Sequence, residues 1–279
     1  MQFVFMALCL TGIADDGGIG AVGLNDWSPV DATITFNVLQ TWDITWANHA
    51  LGMATWESGS TVNIVFSNSI GAELNSLDPA TGGTAGSIPK PAGSGAGFGV
   101  GYNDNLTTPI WHINSWANSN HWYSEDGFST WQTTSNPSGS NGRGISWDGS
   151  HYWQSNETGL VRYLLGGSSQ SFTGIAPTQI SGVAYIPGPS RDIGHVMVTT
   201  YNTNIFVLYS WDGASLVQEA TGVSPASLNV TTRYGLTWCP SRSSLFFSYS
   251  SGSAYRIAEL TFDVVSLSRD TWAGIKSSF

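Results

Sequence analysis

Apolar and polar residues alternate along short stretches of this chain, and helical periodicity is sustained nowhere. Thr33-Ile34-Thr35-Phe36-Asn37-Val38 is the cleanest case, with its apolar residues all on one face of an extended backbone. Between such stretches lie glycine, asparagine, aspartate and proline, the residues that tight reversals require. The pattern predicts strands over 2–10, 19–25 and 32–39, then over 52–57, 61–68 and 73–77, followed by a Gly/Ala/Pro/Ser loop over about 79–95. Further strands are predicted over 110–115, 121–125 and 130–134, and over 144–147, 151–155, 160–165 and 169–173. The rest fall over 183–186, 195–201, 205–210 and 215–219, over 236–238, 245–249, 254–261 and 264–268, and at 273–279. The fold class is all-β.

One four-residue pattern recurs: glycine, aliphatic, small, aromatic. It appears as Gly99-Val100-Gly101-Tyr102, Gly144-Ile145-Ser146-Trp147, Gly182-Val183-Ala184-Tyr185 and Gly235-Leu236-Thr237-Trp238. Asp43-Ile44-Thr45-Trp46 is a variant, and Gly274-Ile275-Lys276-Ser277 a degenerate copy. Six copies in 279 residues give a period of roughly 46 residues, that of β-propeller blades. Small residues let the innermost strands converge on the axis, while the aliphatic residue points into the packing between blades. The expected fold is one six-bladed β-propeller domain over 1–279, with blades at about 42–97, 98–142, 143–180, 181–233 and 234–272. The sixth blade joins a C-terminal strand, 273–279, to N-terminal strands within 1–41, which would remove the open sheet edge.

Charge narrows the partners. Nine Lys+Arg against 19 Asp+Glu leave a net charge of -10, and only 10% of residues are charged. Nucleic acid and anionic membrane both need basic patches, so neither is an expected partner. Residues 3–14 are apolar but lack a positively charged leader and are too short to span a bilayer; they read as a buried strand, with no signal peptide recognised. Cys9 and Cys239 show no metal-like spacing and are expected to be buried free thiols. Five scattered histidines, an Asp15-Asp16-Gly17-Gly18 turn and the lack of a phosphate-binding fingerprint give no reason to expect a metal or cofactor. His112 and His121 are placed to face each other across a hairpin.

Ser124-Glu125-Asp126-Gly127-Phe128-Ser129-Thr130-Trp131 resembles the Asp box, S-x-D-x-G-x-T-W, of the bacterial neuraminidase repeat found in sialidase-like propellers. Ser124, Asp126, Thr130 and Trp131 match in register, and Phe128 stands where that family prefers glycine. Ser210-Trp211-Asp212-Gly213 is a looser echo, and Ser146-Trp147-Asp148-Gly149 reads as a turn. The resemblance implies a structural role: the aspartate accepts hydrogen bonds within its hairpin and the tryptophan packs between blades. It does not extend to sialidase chemistry. Arg143 and Arg233 are one position out of phase relative to their glycines, so alternation points them in different directions. No facing pair of carboxylates, as glycoside hydrolysis needs, can be nominated, and no catalytic residue is assigned.

Loop aromatics carry the remaining signal. The face where inner strands begin would collect Trp42, Trp116, Tyr201, Tyr234 and Trp272 together with Asn118, Asn120 and Arg143. Aromatic faces flanked by amides and charges suit sugars, whose C–H faces stack while their hydroxyls hydrogen-bond. The expected function is non-catalytic binding of a glycan or a protein receptor. The uncharged Gly/Ser/Thr/Asn-rich composition resembles phage tail, spike and decoration proteins, so a virion component leads, contacting a receptor or other virion proteins. A sialidase-like hydrolase and a cellular interaction scaffold are the alternatives.

Overall fold

The computed structural model describes residues 32–266 apart from 69–70, 96, 104–108, 174, 176 and 191–192. Strands expected over 2–10, 19–25 and 273–279, the Asp15–Gly18 turn, Cys9, Trp272 and the Gly274 copy lie outside the described residues. Alternation is honoured elsewhere: twenty strands form, and the longest helical piece is a single turn.

The first unit is a four-stranded antiparallel meander of β2 (Met53–Ser58), β3 (Thr61–Ser67), β4 (Glu73–Leu77) and β5 (Thr84–Pro89). The second is β6 (Gly97–Asn103), β7 (Ile110–Ser115), β8 (Asn118–Ser124) and β9 (Gln132–Ser135). The third is β10 (Ile145–Trp147), β11 (Tyr152–Ser155), β12 (Gly159–Tyr163) and β13 (Ser169–Thr173). The fourth is β14 (Ile180–Ser190), β15 (Ile193–Thr200), β16 (Phe206–Trp211) and β17 (Leu216–Gly222). The fifth takes β18 (Thr232–Cys239), β19 (Ser244–Ser251) and β20 (Ala254–Ser266) from late in the chain and β1 (Ala32–Asp43) from its beginning. A short parallel pairing of β1 with β17 fuses the fourth and fifth units into one eight-stranded sheet.

The innermost strands touch in a closed cycle: β2 with β6, β6 with β10, β10 with β14, β14 with β18, and β18 with β2. The recurring glycine explains how they can. A Cβ on Gly52 would meet Gly99, one on Gly99 the carbonyl of Arg143, one on Gly144 the backbone of Gly182, one on Gly182 that of Gly235, and one on Gly235 the carbonyl of Leu51. Each glycine therefore presses its backbone onto the next unit, in a propeller-like arrangement.

Where the sequence predicts six units, the innermost strands among the described residues number five, and their cycle closes without a sixth. The difference lies in β1. It pairs antiparallel with β20 from Ala32↔Ser266 to Asp43↔Arg256, as the fifth unit's outer strand. Phe36 is the reason it lies there, its ring 4.7 Å from Phe206 and 6.3 Å from Phe262. Three smaller expectations change with it. Asp43-Ile44-Thr45-Trp46 is no innermost strand but the end of β1 and a helical turn, and Gly52 takes the ring position. The loop expected over 79–95 contains β5. The strands expected over 254–261 and 264–268 are continuous up to Ser266 as β20.

Apolar clusters fill the spaces between units: Trp42, Phe66 and Phe246 between fifth and first, Val65, Val100 and Trp111 between first and second, Trp153, Val183 and Trp211 between third and fourth. Second and third units meet differently, through buried amides. Asn114 Nδ2 donates to the Arg143 carbonyl (2.7 Å) and to Gln154 Oε1 (2.8 Å), while Gln154 Nε2 donates to Asn136 Oδ1 (2.8 Å). His121 Nε2 shares a 2.7 Å hydrogen bond with the same Gln154 oxygen.

Candidate functional site

The residue just before each ring glycine sits at the mouth of the central axis. Leu51, Phe98 and Tyr234, from the first, second and fifth units, form one buried apolar cluster. Arg143, in the same position of the third unit, lies with its guanidinium 5.8 Å from the centroid of Phe98. Its Nη2 donates to Glu157 Oε1 at 2.7 Å, and the arginine is buried while the glutamate side chain is 42% exposed. The fourth unit contributes Tyr201 from the β15–β16 turn, its ring 5.8 Å from that of Tyr234 and 38% exposed. Side chains from all five units thus converge on one spot.

Electrostatics at the mouth follow from this burial. Desolvation lowers the Arg143 pKa, and the Glu157 carboxylate opposes the shift. His49 lies 5.2 Å from Tyr234 and 5.0 Å from Tyr255, and burial, with Lys90 nearby, lowers its pKa. Lys90 is brought down to about 8 by burial, with its Nζ donating to the carbonyls of Asn68 and Gly71. Burial raises the Tyr234 hydroxyl. The mouth offers one wet aromatic face, one wet carboxylate and a cation behind it.

Of the residues expected on this face, Tyr201, Tyr234 and Arg143 come together. Trp116 is 51% exposed on the β7–β8 turn, the counterpart of the turn that carries Tyr201, with Asn118 and Asn120 beside it in sequence. Asn118 Oδ1 is committed to the Asn120 N–H at 2.9 Å, so it shapes the hairpin. Trp42 is not on the face at all. It is 5% exposed, stacked on Phe246 at 5.8 Å in the core between fifth and first units, because β1 is an outer strand. Phe98, Leu51, Glu157 and His49 were not anticipated. The signal for the first two was available, since they hold the same place before their glycines as Arg143 and Tyr234.

The two arginines diverge. Arg143 faces the mouth, whereas Arg233 pairs in register with Tyr249, a core residue between fourth and fifth units. Nε of each lacks a hydrogen-bond partner among the described residues. Carboxylates are mostly committed. Glu57 accepts from Cys239 Sγ and from Ser241 N and Oγ, Glu259 holds Arg242 through both oxygens at 2.7 Å, and Glu219 lies 3.1 Å from His195. Among the described residues no group of three or more His, Cys, Asp or Glu could hold a metal ion.

On the opposite face, Asp126 Oδ1 accepts from Thr130 N and Ser124 Oγ at 2.9 Å each, and Oδ2 accepts from Thr130 Oγ1 at 2.6 Å. These bonds, Thr130's above all, hold its carboxyl down at about 2. Trp131 packs against the cluster between first and second units. Asp212 accepts from Ala214 N and Ser215 N in the matching hairpin of the fourth unit. Asp148 does more than shape a turn: it is buried, bonds Trp153 Nε1 (2.9 Å) and pairs with Arg162 (2.7 Å), whose guanidinium lies 5.1 Å from the centroid of Trp211.

The sequence matches no protein family and no curated protein. Among solved structures, similarity is found to Myxococcus xanthus glutaminyl cyclase, with a TM-score of 0.62 at 12% identity, covering 85% of this chain and 100% of that one. An auxiliary nutrient binding protein from Bacteroides ovatus scores 0.49 at 6% identity, covering 77% and 60% of the two chains. A chain of a nidogen/laminin complex scores 0.48 at 12% identity, covering 67% and 70%. What the first likeness establishes is the fold alone: this chain shares a propeller-like β architecture.

Proposed function

We propose that the chain is a five-bladed, non-catalytic β-propeller that binds carbohydrate at the mouth of its axis, as a receptor-binding or structural component of a virion. The observation that carries this reading is Tyr201, an exposed ring set over buried Tyr234 beside the Arg143–Glu157 pair. A stacking face next to a fixed donor and a wet acceptor is what a pyranose requires. On this reading the turn from Ser124 to Trp131 is an Asp box in a structural role. The virion assignment rests on the low-charge, Gly/Ser/Thr/Asn-rich composition; capsid or tail genes beside its own support it, and metabolic neighbours count against it. A glycan array of the wild type and of Tyr201→Ala tests the binding. The proposal requires glycan signals that the variant loses, and an array without signal refutes it. A sialidase-like hydrolase is the second reading, favoured by the buried arginine at the mouth. Turnover on a panel of fluorogenic glycosides would establish it in place of the first.

A further inference from the structure

A groove of about 490 Å3 runs between the first and second units, on the side away from the axis mouth, within the size range of small-ligand sites. One wall is the outer strand β5, whose outward backbone edge has no strand partner among the described residues. The other is the Asp126 hairpin. Trp111, 4% exposed, forms the floor and holds three rings at different tilts: Trp56 edge-on at 6.2 Å, Tyr102 at 4.5 Å and Phe128 at 4.9 Å. Trp56 is 37% exposed there.

Phe128 is the unusual member. Its φ is +78°, a left-handed conformation that costs a residue with a side chain about 1–2 kcal/mol and a glycine almost nothing. Glycine would close this turn at least as well, yet a phenyl ring stands there and lines the groove. The turn needs the backbone conformation but not the ring, which packs on Trp111 and on Trp131 at 5.9 Å and presents its remaining surface to the groove.

Glu125 is the charged residue in the lining. Its Oε2 accepts from Gln132 Nε2 at 3.3 Å, and Gln132 is itself fixed by the Tyr123 hydroxyl at 2.9 Å. The carboxylate is thus oriented, and the lining contains no basic residue. It repels anions and accepts hydrogen bonds from hydroxyl groups. The outward edge of β5, unpaired among the described residues, supplies backbone donors and acceptors, and Ser87 a hydroxyl. Quaternary ammonium ligands prefer a closed aromatic cage and make no use of such an edge.

We infer that this groove is a binding site for a neutral oligosaccharide, stacked on Trp56 and Phe128 with a hydroxyl on Glu125, separate from the site proposed at the axis mouth. The test is titration of the full chain with maltotriose, cellotriose and chitotriose, with choline and sialyllactose as contrasts, followed by tryptophan fluorescence and calorimetry. One neutral trisaccharide is expected to bind saturably at millimolar concentration or below. Phe128→Gly keeps the turn, whose backbone already suits glycine, so it is expected to fold, the relief of strain offsetting part of the lost packing on Trp111 and Trp131, while affinity falls about tenfold or more. Trp56→Ala is expected to abolish binding, and Val217→Ala, at an exposed position of the fourth unit outside the groove lining, to leave it unchanged. Saturable binding lost in both Phe128→Gly and Trp56→Ala and retained in Val217→Ala supports the groove whatever the array shows for Tyr201→Ala. The inference is overturned if no neutral saccharide binds, if choline binds in their place, or if Phe128→Gly binds as tightly as the wild type.

Discussion

A Cβ built on Gly99 would lie 2.0 Å from the carbonyl oxygen of Arg143. The obstacle is backbone of the neighbouring unit, and that carbonyl is pinned by the 2.7 Å hydrogen bond from Asn114 Nδ2. Gly99→Ala must therefore push second and third units apart. The expected cost is about 3 kcal/mol or more, at the upper end for overpacking, read from denaturant unfolding. Gly59→Ala is the control. It has φ +61° and nothing within 4 Å of the built Cβ, so the cost there is backbone strain of about 1 kcal/mol. Equal losses at the two positions would remove the ring of glycines as the device that closes the fold.

Four of the five ring glycines were legible in the sequence, and the reason the fifth was not is physical. Gly52-Met53-Ala54-Thr55 carries threonine where the other copies carry an aromatic, while Asp43-Ile44-Thr45-Trp46 imitates the pattern without a convergent backbone to serve. Alternation in β1 announces a strand but cannot say which strand it will lie beside. That is decided by Phe36 meeting Phe206 and Phe262, residues about 170 and 226 positions away. With β1 misplaced, Trp42 went to the wrong surface. That Tyr234 and Arg143 lie together was legible because their position is local to the repeat. Glu157 and His49 were not, since each joins the mouth through a contact that no spacing encodes.

Trp42 and Trp116 separate these two kinds of residue experimentally. Trp42 fills the space between fifth and first units against Phe246. Trp42→Ala leaves a large cavity and is expected to cost about 3–5 kcal/mol. Trp116 stands half in solvent on a turn, so Trp116→Ala is expected to change stability by less than about 0.5 kcal/mol. Paired thermal melts decide the matter, and a large loss for Trp116→Ala would place its ring in a packing role.

Asp126→Ala is expected to lower the melting temperature at neutral pH and leave glycan binding at the axis mouth intact, because the carboxylate bonds only within its own hairpin. The carboxyl is held at about 2, below its ordinary value of 3.8, so its stabilisation is present above that value and lost as pH falls through about 2. The gap between wild type and variant should therefore close under strong acid. Asp126→Asn, which keeps an acceptor for the Thr130 N–H but loses the one for its hydroxyl, should fall between the two. Loss of a binding activity without loss of stability would reassign the turn from structure to function.

His112 and His121 lie with ring centroids 4.3 Å apart inside the second unit, beside Tyr163 of the third. Their surroundings are Tyr152 and Tyr163, whose hydroxyls burial keeps protonated, and the neutral amides of Gln154 and Asn136. Neither histidine has a salt bridge among the described residues. Burial is the main cause that lowers both pKa values, His121 from 6.5 to about 4, against its amide hydrogen bonds, and His112 well below 6.5, where a charge on His121 opposes it as well. Well above 6.5 both are neutral in folded and unfolded chains alike, and pH has no leverage through them. Below it the unfolded chain takes up protons that the folded chain refuses. Stability is then expected to fall by about 1.4 kcal/mol per pH unit for each histidine between about pH 6 and about pH 4.5. The aspartates held below their ordinary range act at lower pH, whereas His49, also lowered by burial, adds to the slope in this window and Glu219, lowered by its bond with His195, at its acid end. Urea unfolding across that window measures the slope, and His121→Gln, which retains an amide partner for Gln154, should reduce it by up to about 1.4 kcal/mol per pH unit. A wild-type slope near zero in that window would mean that these rings are wet or already charged, and the dry contact between second and third units would have to be redrawn.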